Sequence, residues 1–138
     1  MSTHGIFDTT IQVLDKVLEL RTRKLEVISS NIANAETPGY AAQRMDFEEK
    51  LQTAISGSKA KTSVTHPRHI PTGFGDDVAS FQADMYRDED SSGFGDKNSV
   101  SLDQEMVDLS RNQIRFEAAI RSLNKKFSML KMVIQERA

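Results

Sequence analysis

Two runs of apolar residues, one at each end of the chain, recur at alternating spacings of four and three. The N-terminal run is Phe7, Ile11, Leu14, Leu18, Arg21, Leu25, Ile28 and Ile32, with Arg21 its single charged member. The C-terminal run is Leu102, Met106, Leu109, Gln113, Phe116, Ile120, Leu123, Phe127, Leu130 and Ile134, with Gln113 its one polar member. A repeat averaging about 3.5 residues holds one stripe of a helix against a partner helix. A helix from Phe7 to Asn34 extends for roughly 40 Å at about 1.5 Å per residue. Two such segments in one chain predict a mainly α protein. Its long terminal helices pack as an antiparallel-type coiled-coil pair, around a small irregular or short-β middle region.

The C-terminal helix has a readable start. Ser101-Leu-Asp-Gln104 is a capping-box pattern, in which the Ser hydroxyl takes one orphan N–H and the Gln reaches back to another. Lys131 and Arg137 near its end suit the negative pole of the helix dipole. Both helices carry apolar residues off the seam: Ile6, Val13, Val17, Leu20 and Val27 on the first, Val100, Val107 and Ile114 on the second. A bare two-helix hairpin leaves these in water, because a two-stranded seam needs only a narrow stripe. Burying each large side chain is worth about 1.5–3 kcal/mol, so more helices are expected to cover them in an assembly.

The chain divides into residues 1–36 (N-terminal helix), 37–97 (turn, short helix and irregular middle) and 98–138 (C-terminal helix). Within the middle, Asp46 to Ile55 reads as a short amphipathic helix through Phe47, Leu51 and Ile55. Thr62 to Thr65 is a candidate strand. The stretch Asp84 to Lys97 is acidic and glycine-containing, with too little apolar content to fold alone.

The apolar share of 38% lies below the globular norm, which makes a large central core doubtful. A net charge of -2 over 138 residues carries no basic footprint, which argues against nucleic acid as a partner. Without cysteine, disulfide and thiolate chemistry are excluded. Neither a cleavable secretory leader nor a run long enough to span a membrane is present, which taken alone reads as cytoplasmic.

Sites for chemistry fare poorly. His66 and His69 near Asp76 and Asp77 could suggest metal ligands and a small hydrolase, but Pro67 stands between the histidines and no third strong ligand follows. Asp88, Asp90, Ser92 and Gly93 begin like a calcium loop, yet the twelfth position, which needs a bidentate Glu, is Ser99. The two Gly-Phe-Gly-Asp copies (73–76 and 93–96) lack the remaining elements of a nucleotide-binding loop. No enzyme, cofactor or metal is expected.

The remaining feature is the stop of the first helix, Ser29-Ser-Asn-Ile-Ala-Asn-Ala-Glu-Thr-Pro-Gly-Tyr40. Pro38 disfavours helical geometry at Thr37 and has no N–H to donate. Thr37-Pro-Gly-Tyr40 therefore fits a type II turn, with Gly39 at the position that requires positive φ. Asn31 and Asn34 can bond carbonyls or neighbouring chains where the helix runs out.

Asn31, Asn34, Thr37, Pro38, Gly39 and Tyr40 resemble, at all six fixed positions, the signature of the flagellar axial proteins of rod, hook and hook-associated type. Short length, and the segments Tyr40–Phe47, Pro67–Ile70, Asn98–Met106 and Asn124–Lys131, are most similar to the proximal rod proteins. FlgC, one of the two short proximal rod types, is the less similar of them, since it usually departs from a clean Thr-Pro-Gly-Tyr. The resemblance implies a structural subunit of an axial tube in the periplasmic part of the basal body, transmitting torque and enclosing part of the export channel. It implies passage through the flagellar type III export apparatus without a cleaved signal, for which Phe7 and Ile11 match an export-gate motif. Implied partners are copies of itself, rod proteins of the FlgC, FlgF and FlgG types, and the adapter FliE. A cytoplasmic coiled-coil interaction module is the alternative.

Overall fold

The computed structural model describes residues 9–57, 78, 81–88 and 97–135. Five elements follow in order: helix α1 (Thr9–Ala33), strand β1 (Ala42–Asp46), helix α2 (Glu48–Gly57), strand β2 (Asp84–Asp88) and helix α3 (Leu102–Gln135). The chain is thus mainly helical, with long helices at both ends. Phe7, expected to open the first seam, lies outside the described residues, as do Thr62–Thr65, His66, His69, Asp76, Asp77 and Arg137. None of the described helices is long and apolar enough to cross a membrane.

α1 and α3 run antiparallel. Near one end the Asn98 amide meets the carbonyls that close α1, and further along Asn112 Nδ2 donates to Arg21 O at 2.9 Å. By that register Thr9 falls near Asn124, so the last turns of α3 continue past the described start of α1. The face of α3 turned to α1 has an unexpected centre line. Its fully buried members are Glu105, Asn112 and Ala119, spaced by seven, flanked by half-buried Leu109, Phe116, Ile120 and Leu123. The face is therefore rotated from the apolar stripe read in the sequence, because polar side chains with dedicated partners occupy its middle.

The off-seam residues of α1 are not left for other subunits. Leu20 and Val27 pack with Met45, Phe47, Leu51 and Val78 in one buried cluster, with Val13, Val17, Ile55, Phe81 and Ala83 against it. The middle of the chain thus folds back over α1 and supplies its second layer. The chain has a core of its own, which low apolar content made doubtful. Among the described residues, the off-seam Val107 and Ile114 of α3 remain exposed.

β1 and β2 form a two-stranded antiparallel sheet with Ala42 opposite Asp88 and Asp46 opposite Asp84. Residues 84–88, too poor in apolar side chains to fold alone, order here by pairing with β1. A lone two-stranded ribbon is marginal in water; here Met45 is buried with Leu20 and Val27 of α1 and Ala42 is fully buried, which holds β1 while β2 pairs to it. The short helix read over 46–55 begins and ends two residues later, after the strand. The capping box expected at α3 is not closed by Gln104. Gln104 Nε2 donates to Asp108 at 3.2 Å, one turn on, instead of reaching back to the helix start.

Phe47 is 2% exposed and joins α1 to the middle region. Phe47→Ala is expected to lower stability by about 3–5 kcal/mol, the usual cost of emptying a buried aromatic site. Urea denaturation followed by circular dichroism measures this directly, with the exposed Ile114→Ala expected to change little.

Candidate assembly site

The signature residues form one junction between α1, β1 and the entry to α3. Asn31 is fully buried. Its Nδ2 donates to Gln43 O at 2.8 Å, and its Oδ1 accepts from Gln43 N–H at 2.9 Å. The side-chain amide thereby pairs both backbone groups of a strand residue, as a neighbouring strand would, and closes the edge of β1 facing α1. Oδ1 also lies 3.4 Å from the Tyr40 hydroxyl, which sits 3.2 Å from Ser30 Oγ.

Asn34 ends the helix. Its Nδ2 donates to Ser30 O at 2.8 Å, and its own carbonyl accepts from Thr37 N–H at 2.9 Å. Tyr40 N–H then donates to Thr37 O at 3.2 Å, with Gly39 at φ 72°. Pro at the second position, positive φ at the third and this closing bond describe a type II turn. A Cβ on Gly39 would meet nothing within 4 Å, so glycine is needed here for backbone freedom alone.

Residues 98 and 99 tie the other end of the chain to the same place. Asn98 Nδ2 lies 2.9 Å from the carbonyls of Asn34, Ala35 and Thr37, just beyond the last turn of α1. Its Oδ1 accepts from Val100 N–H at 2.8 Å. Ser99 Oγ accepts from Ala42 N–H at 2.8 Å and donates to Asp88 O, standing between the two strands at the end of their ladder. Lys97, just before them, is the one non-glycine residue at positive φ among those described.

A second cluster sits midway along the helices. Arg21, the charge interrupting the first seam, is 7% exposed. It donates to Glu48 Oε1 at 2.8 Å and lies 3.4 Å from Asn112 Oδ1, with its guanidinium 4.8 Å from the Phe47 ring centroid. Lys24 and Arg115 reach the same Glu48 oxygen at 3.3 and 3.1 Å. Burial pushes the Glu48 carboxyl up, but the Arg21 hydrogen bond, Lys24 and its own backbone N–H outweigh this and bring its pKa down to about 2. Nearer the junction, the fully buried Glu105 accepts from Arg44 at 2.6 Å. Its other oxygen, Oε2, has no hydrogen-bond partner among the described residues. Removing Arg44 would strand this carboxylate, which is the costly way to break a buried pair.

The expected helix-packing residues divide. Ile11 and Ile28 are buried; Leu14, Leu18, Ile32, Leu109, Phe116, Ile120, Leu123 and Leu130 are half-buried. Leu25, Leu102, Met106, Phe127 and Ile134 are exposed within the single chain. Ile114, two residues round the helix from Asn112, is 68% exposed. Gln43, Asn98, Ser99 and Arg44 were not singled out by sequence reasoning as site residues. Their partners lie tens of residues away, and nothing local marks them.

Paired terminal helices, the first closed by an asparagine-braced turn into β1, fit the arrangement that the signature of the axial structural proteins implies. The family model described as "Flagella basal body rod protein" matches residues 18–40, which span about two thirds of α1 and the whole signature turn. The chain is 33% identical to the flagellar basal body rod protein FlgB of Bacillus subtilis, over 94% of this chain and 96% of that one. It is 30% identical to FlgB of Escherichia coli, over 93% and 94%. It is also 30% identical to FlgB of Aeromonas hydrophila, over 90% and 91%. The chain belongs to the flagellar basal body rod proteins of the FlgB type.

Two outcomes follow from this geometry. Gly39→Val is expected to cost about 1–2 kcal/mol or more through backbone strain, while the exposed Glu36→Ala leaves stability nearly unchanged; thermal melts of the two variants compare them. Glu48 titrates lower folded than unfolded, where a free Glu lies near about 4.3. Its contribution is therefore complete above that value and lost as pH falls toward about 2. Glu48→Gln should flatten the acid limb of a stability–pH curve in that window, and an unchanged limb would show the cluster to be unimportant.

Proposed function

We propose that the chain is a non-enzymatic structural subunit of the proximal rod, built into the axial tube through its terminal helices. The observation that carries this is the set of exposed apolar side chains on α3. Val107 and Ile114 are exposed on the side of α3 away from Glu105, Asn112 and Ala119, Leu102 and Met106 are exposed on its flank, and Phe127, Met129, Met132, Val133 and Ile134 are exposed on the last turns, which run past the described start of α1. Scattered exposed apolar residues are ordinary, but this many along one long helix cost solubility unless neighbours cover them. The seam residues left exposed, Met106 and Phe127 among them, thus serve contacts between subunits, and the buried ones hold the monomer.

On this reading the rod is formed in the periplasmic space, transmits torque, and encloses part of the export channel. The subunit arrives through the type III apparatus without a cleaved signal, with Phe7 and Ile11 as its export-gate contact. Its neighbours are rod proteins of the FlgC, FlgF and FlgG types, with FliE joining the rod to the membrane ring. The firm turn at Asn31–Tyr40 supports this role, because a torque-bearing element needs a fixed angle between helix and hairpin.

Ile114→Asp puts the claim at risk. The site is exposed, so monomer stability should change by no more than about 0.5 kcal/mol, while incorporation into isolated basal bodies and swimming are lost. A variant that assembles normally would remove α3's outer face from the rod interface.

A further inference from the structure

Each long helix keeps one exposed stripe whose members recur at alternating spacings of three and four. On α1 it is Gln12, Asp15, Glu19, Thr22, Glu26 and Ser29; on α3 it is Val107, Arg111, Ile114, Ala118, Arg121 and Lys125. Residues so spaced lie along one face of a helix. The middle of the chain covers α1 through Leu20 and Val27, which lie off its stripe, and the α3 stripe faces away from Glu105, Asn112 and Ala119. The two stripes differ in charge. That of α1 has three carboxylates and no cation, and that of α3 has three cations and no carboxylate. Glu19 is satisfied within α1 by Lys16 and Arg23. Asp15, Glu26 and Lys125 have no ion pair among the described residues. Arg111 and Arg121 reach only Asp108 and Glu117 of their own helix, at 3.6 and 3.5 Å, with the arginine side chains 65% and 82% exposed. Pairs of that kind hold weakly, so both arginines are open to a better-placed carboxylate.

We propose that the acidic stripe of α1 on one copy of the chain docks on the basic stripe of α3 on a second copy. Copies pointing the same way along an axis present α1 of one antiparallel to α3 of the next, as the two helices run within a chain. Charge spacing fixes the register. Asp15 and Glu26 stand eleven residues apart, and Arg111 and Arg121 ten. Within one chain Arg21 is level with Asn112. Sliding the neighbour's α3 by about one turn from that level sets Glu26 opposite Arg111 and Asp15 opposite Arg121, since a turn is about 3.6 residues. The same register sets Thr22 opposite Ile114 and Ser29 opposite Val107, so two exposed apolar side chains are covered between the charge pairs. Charges flanking an apolar line are what select partner and orientation when helices pair. The stripes are different surfaces of one molecule, so the contact is heterologous and propagates from copy to copy without closing after two. This rests on the reading of the chain as a rod subunit and names the surface on which α3 docks.

The test is incorporation of the full chain into isolated basal bodies. Asp15→Lys/Glu26→Lys and Arg111→Glu/Arg121→Glu should each lower it at least about tenfold, since like charges then face one another across the contact. The quadruple variant, with both stripes reversed, should regain most of it. The chain has no cysteine, which permits a second measurement independent of charge. Thr22→Cys/Ile114→Cys, oxidised in isolated basal bodies, should give covalent dimers and longer multimers of the chain, while either cysteine alone leaves monomer. Where circular dichroism shows the quadruple variant unfolded, the cysteine pair decides. Normal incorporation of either double variant would overturn the proposal, as would a disulfide dimer from Ile114→Cys alone. A folded quadruple variant that stays out of basal bodies would assign the stripes to other rod proteins and also overturn it. Wild-type chain present in basal bodies, with no multimers from the cysteine pair, removes this contact and leaves the rod reading standing. Absence of the wild-type chain from basal bodies removes both.

Discussion

The fold turns on the amide of Asn31. A helix followed by a tight turn leaves the next strand with backbone groups facing the helix, where no second strand can come. Asn31 fills that position from within the helix, taking both groups of Gln43 through a single side chain. Without it, a buried N–H and C=O would each lack a partner, at about 1–3 kcal/mol per group. With β1 pinned, Met45 and Phe47 are delivered into the core on the side of Leu20 and Val27, and β2 has an edge to pair with. Aspartate offers no donor and leucine offers neither group, so the residue type is dictated by the geometry.

The two ends of the chain are held in register by the same means. Asn98 receives the last carbonyls of α1, and Asn112 bonds the backbone of Arg21 further along. An apolar face alone could slide by a turn at small cost, since one leucine replaces another. Buried polar groups cannot slide, because each displaced one loses a specific partner. Glu105, Asn112 and Arg21 thus set the alignment of α1 on α3, while flanking leucines and phenylalanine supply the apolar contact. The arrangement leaves Val107 and Ile114 of α3 facing outward.

Much of this was legible in the residues. The heptad spacing announced both long helices, and Pro38 with Gly39 announced the turn down to its positive φ. Arg21 and Gln113 appeared there as two comparable blemishes in apolar stripes. In the structure they differ completely: Arg21 is buried in an ion cluster, and Gln113 is exposed. Periodicity locates a stripe but does not say which neighbours a charge will find. The strand pair was equally hidden, since Ala-Gln-Arg-Met-Asp and Asp-Met-Tyr-Arg-Asp are short and polar and become strands only by meeting.

By itself, then, the chain's sequence determined its helices and the stop between α1 and the hairpin, because these depend on spacing and local backbone sterics; its place among axial proteins followed from the resemblance of the Asn31–Tyr40 signature. Tertiary structure decided which face of each helix is inside. Val13, Val17, Leu20 and Val27 looked like surface awaiting other subunits, yet the chain's own Phe47, Leu51 and Val78 cover them. Val107 and Ile114 carried the same local signal and stay in water. The reason is that burial is a property of pairs: whether an apolar side chain is covered depends on where the chain folds back, and the described part of the middle packs on α1 while Val107 and Ile114 stay exposed.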